Sequence, residues 1–342
     1  MKLALWLLAA TASLQVILLF AGLLPPAWCE TWHGRGVFPL LRSVLGGLAN
    51  LLPFSLAQLL LILGLLLLLA AVTELGLRWA GKLELLRLGP WALLMLLLLI
   101  HGLLLGYGWL HAQAGLAKRL HLAQPSAKQV ETRARALAQQ AAALHSAAPK
   151  QDWDWRELES LAHEAVRKAC AELDWPPPTR LHLKIPWPRR FLMRFGVSGV
   201  FSPFTFEPHV DAGLHPAELP FVACHELAHL AGIASESEAN FFAWIACSLS
   251  PDPRFQLAAK LGVLGYFESN LQDLRAELHK LQGEAVLAIR RAIQNRWRQS
   301  IWEPAQKAQR WSYDRFLRAH GVTSGIRSYD LVTRLIAAWP QD

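Results

Sequence analysis

Two histidines and a glutamate stand at a spacing that can hold a metal ion on one face of a helix. They are His225, Glu226 and His229, within the segment FVACHELAHLA at residues 221–231. Residues four apart on an α-helix project from the same face, so both imidazoles can bind one ion. Zn²⁺ suits nitrogen ligands in an open tetrahedral site, and the Glu226 carboxylate can take a proton from water and return it to a leaving amine. The segment therefore predicts metal-assisted hydrolysis of a peptide bond.

The surroundings of this motif bear on whether it arose by chance. A chain with 13 histidines contains HExxH by chance with a probability on the order of a few per cent. Here Pro216 and Pro220 precede the motif, apolar residues flank it, and Gly232 follows His229 by three residues. These are the signals of a short buried helix with defined ends. The context favours a functional motif over a coincidence.

The next helix, which begins near the sequence SESEAN, offers two carboxylates as a third ligand. Ser235 and Glu238 have the S-x-x-E spacing of a capping box, which would assign Glu238 to the helix N-terminus. Glu236 would then be the first helical residue and the ligand, with Asn240 one turn later, placed to hydrogen-bond a ligating histidine. Metzincins carry a further histidine six residues after the second one, and here that residue is Ser235, so their pattern is absent.

The N-terminal third of the chain is rich in leucine. Three apolar stretches, at residues 3–24, 54–73 and 91–110, reach the roughly 20 residues that a bilayer-spanning helix needs. We therefore expect a membrane region over residues 1–111 and a separate domain over residues 112–342. The first stretch is also compatible with a cleaved signal peptide, but it is longer than the usual apolar region of one.

The positions of Lys and Arg in short loops indicate topology, because positive side chains are retained on the cytoplasmic side. Lys2 and the basic loop at residues 78–87 favour a cytoplasmic N-terminus and an exported domain after the third span. Lys118 and Arg119, just past that span, favour the opposite orientation. A location of the HExxH helix inside the membrane is disfavoured, because only eleven residues separate the proline and glycine that bound it.

Beyond residue 112 the pattern is mainly helical, with one β-rich stretch. Leu181, Leu183 and Ile185 alternate with polar residues as in a half-buried strand, and further short strands are expected within residues 196–201 and 205–210. The segment 199–207 is either a core strand or a sheet edge that pairs with an extended substrate. The expected fold is mainly α, with a small β-sheet and a pair of helices that carry the motif.

Charge and cysteine content argue against a nucleic-acid-binding protein and against a site built from paired cysteines. The net charge of +8 comes from 34 basic and 26 acidic residues that are scattered without a basic stripe, so no nucleic-acid partner is expected. The four cysteines show neither CxxC nor zinc-finger spacing. Several of the 15 tryptophans lie near the ends of the expected spans, where aromatic side chains favour the membrane interface. The expected partner is a lipid bilayer.

Several segments resemble the bacterial membrane proteins grouped as domain of unknown function 3810, a family similar to gluzincin-type zinc peptidases. The matching segments are residues 202–205 (SPFT), 219–221 leading into the HELAH motif, 236–241 (ESEANF), 312–317 (SYDRFL) and 325–329 (GIRSY). The resemblance covers most of the chain, including the N-terminal membrane helices.

The resemblance implies three transmembrane helices followed by a zincin-like α+β metallopeptidase domain. It also implies a zinc site of His225, His229 and Glu236, with Glu226 as the catalytic acid and base. Such a protein would be a multi-pass protein of the bacterial plasma (inner) membrane, with the catalytic domain on the extracytoplasmic side.

A peptidase of this type also needs a donor that stabilises the oxyanion. Tyr313 is the first candidate because it lies in a segment that resembles the family. Tyr329, His320 and Tyr266 are alternatives among which the sequence does not choose.

Two classes of function follow from these observations. The first is a membrane-anchored zinc peptidase that acts on a peptide or an envelope protein. The alternative is a receptor or interaction protein whose peptidase-like domain binds metal and a partner without turnover. The presence of Glu226 favours the enzyme, because a protein without turnover has no chemical need of this carboxylate. A purely structural membrane protein with an accidental motif would bind no metal.

Overall fold

The structure, a computed structural model, describes residues 2–20, 23–80, 88–149, 151–319 and 329–340. The α-helices are, in chain order, α1 (Lys2–Phe20), α2 (Pro26–Trp28), α3 (Phe38–Leu41), α4 (Gly47–Asn50), α5 (Leu56–Trp79), α6 (Gly89–Gly106), α7 (Leu116–Arg119), α8 (Ala127–Ala143), α9 (Trp155–Glu172), α10 (Phe191–Arg194), α11 (Leu219–Leu230), α12 (Glu236–Leu249), α13 (Pro253–Asn270), α14 (Arg275–Ser300), α15 (Glu303–Ala319) and α16 (Tyr329–Ala338). Two strands, β1 (Gly199–Ser202) and β2 (Glu207–Val210), form a single small sheet in these residues. The prediction of a mainly helical fold with a small sheet is confirmed.

The first of two compact units comprises residues 1–113 and 202–207. Two of its helical segments, Leu56–Trp79 and Gly89–Ala112, are long and apolar enough to cross a membrane. In the most apolar part of the segment Leu56–Trp79, none of the residues is buried inside the protein. A row of exposed leucines needs an apolar environment, so these helices suggest association with a membrane.

The prediction of three membrane spans is wrong for the residues that the structure describes. The first predicted span, residues 3–24, forms α1, and the apolar helix within it covers only Leu3–Leu19. This helix is shorter than the roughly 20 residues that a span needs. The predicted stretch also includes residues 21–22, which lie outside the described residues, and Pro26 already begins the next helix.

The tip of the β-hairpin belongs to this first unit, where it is fixed at the start of α5. The carboxylate of Glu207, which is 2% exposed, accepts hydrogen bonds from the main-chain N–H groups of Leu56 (3.0 Å) and Ala57 (2.7 Å). It also accepts one from the Thr205 hydroxyl (2.8 Å). The first N–H groups of a helix lack partners within the helix, so a carboxylate at this position stabilises the helix end. The Ser55 side chain accepts from Gln58 at the same end.

The second compact unit comprises residues 114–201 and 208–342. Its centre is the pair α11 and α12, which pack against each other and against α9 and α13. Helix α9 is amphipathic and buries Leu158, Ala162 and Val166 toward this core. Every residue of α11 except His225 is buried, and in α12 the run of residues 241–247 is buried and apolar, as expected for helices surrounded by others.

The β-hairpin lies beside this helix pair. Strand β2 pairs with β1 on one side and, through a single parallel bridge between His209 and Lys184, with the chain around Lys184 on the other. Among the described residues no further strand pairs with β1, which is therefore the outer strand. Val200 of β1 is 43% exposed.

The prediction of a strand at residues 181–185 is wrong. Side chains satisfy the backbone carbonyls there, since Trp155 Nε1 donates to Leu183 (3.1 Å) and the His163 ring bonds the Leu181 carbonyl (2.8 Å). Because these groups are already paired, and because Pro186 lacks an N–H, the segment contributes only one bridge to the sheet.

Candidate metal centre

Helix α11 carries the HExxH motif through the core. It begins at Leu219 with Pro220 in its first turn, where the missing N–H of proline costs nothing. It ends at Leu230, and Gly232 then adopts a positive φ of 95°, which turns the chain sharply toward α12. This short turn brings the start of α12 back to the motif.

The structure brings His225, His229 and Glu236 together. Nε2 of His225 and Nε2 of His229 are 3.2 Å apart. Glu236 Oε2 lies 3.2 Å from His225 Nε2, and Oε1 lies 3.6 Å from His229 Nε2. All three ligand atoms lie within 4.8 Å of one another, and this is the one such cluster among the described residues.

The orientation of His229 is fixed by the backbone. Its Nδ1 is 2.7 Å from the carbonyl oxygen of Ile233. A carbonyl can only accept, so Nδ1–H donates to Ile233, and this hydrogen bond turns Nε2 toward Glu236 and His225. Metal-binding histidines are commonly held by such a hydrogen bond on the other ring nitrogen.

The residues fit a zinc ion by donor type and spacing. Two nitrogens at a Zn–N distance of about 2.0–2.1 Å in tetrahedral geometry lie roughly 3.3 Å apart, close to the 3.2 Å between the two imidazole nitrogens. A third donor, the Glu236 carboxylate, completes the set of three protein ligands that leaves a fourth position open in catalytic zinc sites. The three side chains could therefore hold Zn²⁺.

Glu236 is the first residue of α12 and Ser235 its N-cap residue, as predicted. The predicted capping box is wrong, however, because the Ser235 side chain makes no capping hydrogen bond. Glu238 instead accepts a hydrogen bond from the main-chain N–H of Leu116 at 2.6 Å. Its carboxylate is thus engaged at the start of α7, and Glu236 alone of the two faces the histidines.

Glu226 lies beside this cluster with an unusual environment. It is 2% exposed, and among the described residues no donor is within hydrogen-bonding distance of its Oε2 atom. Its Oε1 atom lies close to Gly199 of β1, where a Cβ would approach it to 2.5 Å. Burial raises the pKa of Glu226 to about 8. A buried carboxylate with an unused oxygen is suited to exchange a proton with a small molecule at the site.

Charges at the three candidate ligands influence one another. Burial lowers the pKa of His225. Burial also lowers the pKa of His229, but the negative charge and hydrogen bond of Glu236 outweigh it and raise this pKa to about 9. Burial raises the pKa of Glu236, while the positive charge of His229 and hydrogen bonds from both histidines lower it well below its usual range. Glu236 is therefore ionised at neutral pH and attracts positive charge to this point.

Asn240, the predicted partner of a ligating histidine, lies between the cluster and a tyrosine. Its Nδ2 atom donates to the Tyr266 hydroxyl at 3.2 Å, whereas Nδ1 of His225 is buried with no hydrogen-bond partner among the described residues. Tyr266 thereby becomes the candidate oxyanion donor that the structure places near the cluster.

The other candidate donors lie where the structure gives no side-chain position. Tyr313 is in α15 and Tyr329 starts α16, but the side chains of both fall outside the described part of the chain. His320 lies outside the described residues altogether.

A cavity of about 910 Å³ opens onto the cluster. His225, Glu236, Asn240 and Tyr266 line it, and the remaining walls come from the start of α11 and from α13 and α14. The candidate metal centre therefore faces a space large enough for several residues of an extended peptide.

Three contributors to the site were missed by the sequence analysis. Gly199 allows β1 to approach Glu226, the Phe201 ring lies 6.4 Å from the His229 ring, and the Ile233 carbonyl orients His229. A signal for Ile233 existed, because a glycine three residues after the second histidine indicates a turn back toward it. The contacts of β1 depend on tertiary packing and have no local signal.

The comparison with known families assigns the chain to one of them. The model of the family described as protein of unknown function (DUF3810) matches residues 33–337, and the chain belongs to this family. The resemblance noted in the sequence is thus confirmed at the level of the family. No curated protein and no solved structure matches the chain.

Proposed function

We propose that this protein is a zinc-dependent peptidase with a zincin-like domain. The observation that carries the proposal is the convergence of His225, His229 and Glu236 beside the buried carboxylate of Glu226. Three ligands with an open fourth position and an adjacent carboxylate are the arrangement of catalytic zinc sites of the HExxH type.

The chemistry follows from the positions of the side chains. Zn²⁺ held by these ligands would polarise a peptide carbonyl and increase the acidity of water. Glu226 takes the proton of the attacking water and passes it to the leaving amine, a role that fits a buried carboxylate with an unused oxygen beside the candidate ligands. Gly199 keeps β1 close to this carboxylate, and the Tyr266 hydroxyl, positioned by Asn240, donates a hydrogen bond to the oxyanion.

The outer strand β1 gives an extended substrate a place to bind. No further strand pairs with it among the described residues, and it runs past Glu226 at Gly199. A peptide that adds to this strand would lie alongside the carboxylate. This observation supports the strand-addition interpretation of residues 199–207 over that of a plain core strand.

The proposed location is the plasma (inner) membrane of a bacterium. The two long apolar helical segments support association with a bilayer, and the basic loop between them supports an exported catalytic domain. The substrate class that fits this location is a peptide or an envelope protein.

Cleavage of a peptide library by the detergent-purified full chain, wild type and Glu226→Gln, tests the proposal. We expect cleavage by the wild type and a loss of about 10³-fold or more in the variant, with zinc content unchanged. The Glu303→Gln variant, which alters a carboxylate that is 79% exposed, serves as the control and should match the wild type. Equal cleavage by wild type and Glu226→Gln contradicts the peptidase mechanism. Zinc binding without any cleavage favours the receptor alternative.

A further inference from the structure

We infer that the cavity at the candidate metal centre selects peptides that carry negatively charged side chains. The inference rests on the proposed function, since it concerns the substrate of the same site, but it is drawn from a different wall of the cavity. That wall is formed by α14, which contributes no residue to the cluster of candidate ligands.

Helix α14 lines the cavity with basic side chains. Arg275, Arg290 and Arg291 all face it, together with His279. The three carboxylates that line the same cavity are Glu218, Glu236 and Glu268. The charge offered to a substrate depends on how many of these carboxylates neutralise an arginine of the wall.

Each lining carboxylate is already engaged elsewhere. Glu268 is 5% exposed and makes a two-pronged ion pair with Arg290, with one of the two contacts at 2.8 Å. Glu218 accepts from Trp297 Nε1 at 2.9 Å, and burial raises its pKa. Glu236 faces the two histidines of the candidate metal centre. None of the three is paired with Arg275 or Arg291.

Arg275 and Arg291 therefore give this wall its positive charge. Both residues are exposed, and Arg291 has an ion pair with Glu284 whose side chains are 57% and 77% exposed. An ion pair this exposed contributes little and is readily exchanged. A guanidinium presents paired N–H donors that match a carboxylate, so an aspartate or glutamate of a bound peptide is the complementary group.

The remaining wall of the cavity includes an apolar part. Phe221, Val222, Leu261, Leu287 and Ile293 line it. Apolar side chains of a substrate can pack here while a neighbouring acidic side chain reaches the arginines. The preferred segment is thus an extended one in which aspartate or glutamate alternates with apolar residues.

Binding without turnover tests this inference independently of catalysis. The full-length Glu226→Gln protein in detergent is titrated into two fluorescein-labelled peptides built from alanine and leucine, one with aspartates and the other with asparagines at the same positions. Fluorescence anisotropy gives both dissociation constants. The matched variants are Arg275→Gln, Arg291→Gln and, as control, Arg298→Gln, an exposed arginine of α14 that does not line the cavity.

We expect the aspartate peptide to bind more tightly than the asparagine peptide. Replacing Arg275 or Arg291 should lower the ratio of the two dissociation constants by about two- to fivefold, the size expected for an exposed charge pair. The preference should also weaken as salt is raised. The Arg298→Gln control should keep it. Equal affinity for both peptides, or an equal loss in the control, overturns the inference. The proposed peptidase activity is tested separately, by incubating both peptides with the protein that retains Glu226. If neither peptide is cleaved, the peptidase proposal fails, whatever the binding measurements show.

Discussion

The carboxylate of Glu226 lies directly against Gly199, the first residue of β1. A Cβ atom at Gly199 would come within 2.5 Å of Glu226 Oε1 and 2.7 Å of the His209 carbonyl oxygen. Contacts below 3.0 Å force something to move, and here one of the two groups is backbone. The absence of a side chain at residue 199 is therefore what lets the outer strand pass beside the candidate catalytic carboxylate.

Gly199→Ala should accordingly impair the proposed cleavage while leaving the metal bound. Either β1 or Glu226 must shift, and a displacement of about 1 Å at a reacting group lowers kcat/KM by on the order of 10²-fold. Peptide cleavage and zinc content, measured on the same preparation, test this. Gly76→Ala is the matched control, because nothing lies within 4 Å of a Cβ at this helical position. Unimpaired cleavage by Gly199→Ala would contradict the role given to this contact.

Glu207 should stabilise the first compact unit. Its carboxylate accepts the two N–H groups at the start of α5 and the Thr205 hydroxyl, so Glu207→Ala leaves two part-buried donors and one buried donor without this acceptor. We expect the free energy of unfolding to fall by about 1–3 kcal/mol. Denaturant unfolding of the full chain in detergent, followed by circular dichroism, measures the change. Glu303→Ala, at a side chain that is 79% exposed, should change it by less than about 0.5 kcal/mol, and an equal effect of both variants would refute the anchoring role.

The core of the second unit holds a buried lysine whose charge should destabilise the fold. Lys260 is 8% exposed and lies 6.0 Å from the Trp244 ring. Burial lowers its pKa to about 8; the Cys247 thiol opposes this shift and the nearby Arg133 adds to it. Below pH 8 the folded and unfolded chains both carry the proton, and the full cost of the buried charge is present. Between pH 8 and the unfolded value of 10.5 the unfolded chain binds more protons, so stability rises with pH.

Lys260→Met removes this cost. The free energy of unfolding should rise by up to about 3 kcal/mol at pH 7, and this gain should shrink to about 1 kcal/mol at pH 10. Denaturation of both proteins at the two pH values measures it. Lys280→Met, at an exposed position, should show no such pH-dependent difference, and a gain for Lys260→Met that is the same at both pH values would argue against the buried charge as its cause.

The local features of the helix pair could be predicted from the sequence. The proline before the HExxH motif and the glycine after it indicated the ends of α11, and Ser235 was correctly placed before α12. These signals are local, because a proline or a glycine restricts the backbone wherever it occurs. The choice of Glu236 over Glu238 followed from the same reasoning, although the capping box behind it does not form.

The features that the sequence did not predict depend on contacts between distant segments. Glu238 bonds the N–H of Leu116, which is 122 residues away, so no pattern within its own helix could indicate this partner. The alternation at residues 181–185 holds only for Leu181 and Leu183, which are buried, whereas Ile185 is 43% exposed. Side chains of α9 bond the carbonyls of these two leucines in place of a neighbouring strand. Alternation reports which face of a segment is buried, whereas a strand also requires a partner backbone.

Zinc content of the detergent-purified full chain tests the central claim most directly. Elemental mass spectrometry should find close to one zinc per chain in the wild type, and a large loss in His225→Ala and Glu236→Ala. Glu238→Gln is the matched control, because residue 238 lies on the same helix and bonds Leu116 rather than facing the histidines, and it should retain the metal. No zinc in the wild type after zinc supplementation, or equal retention in all four proteins, would contradict a metal centre at His225, His229 and Glu236.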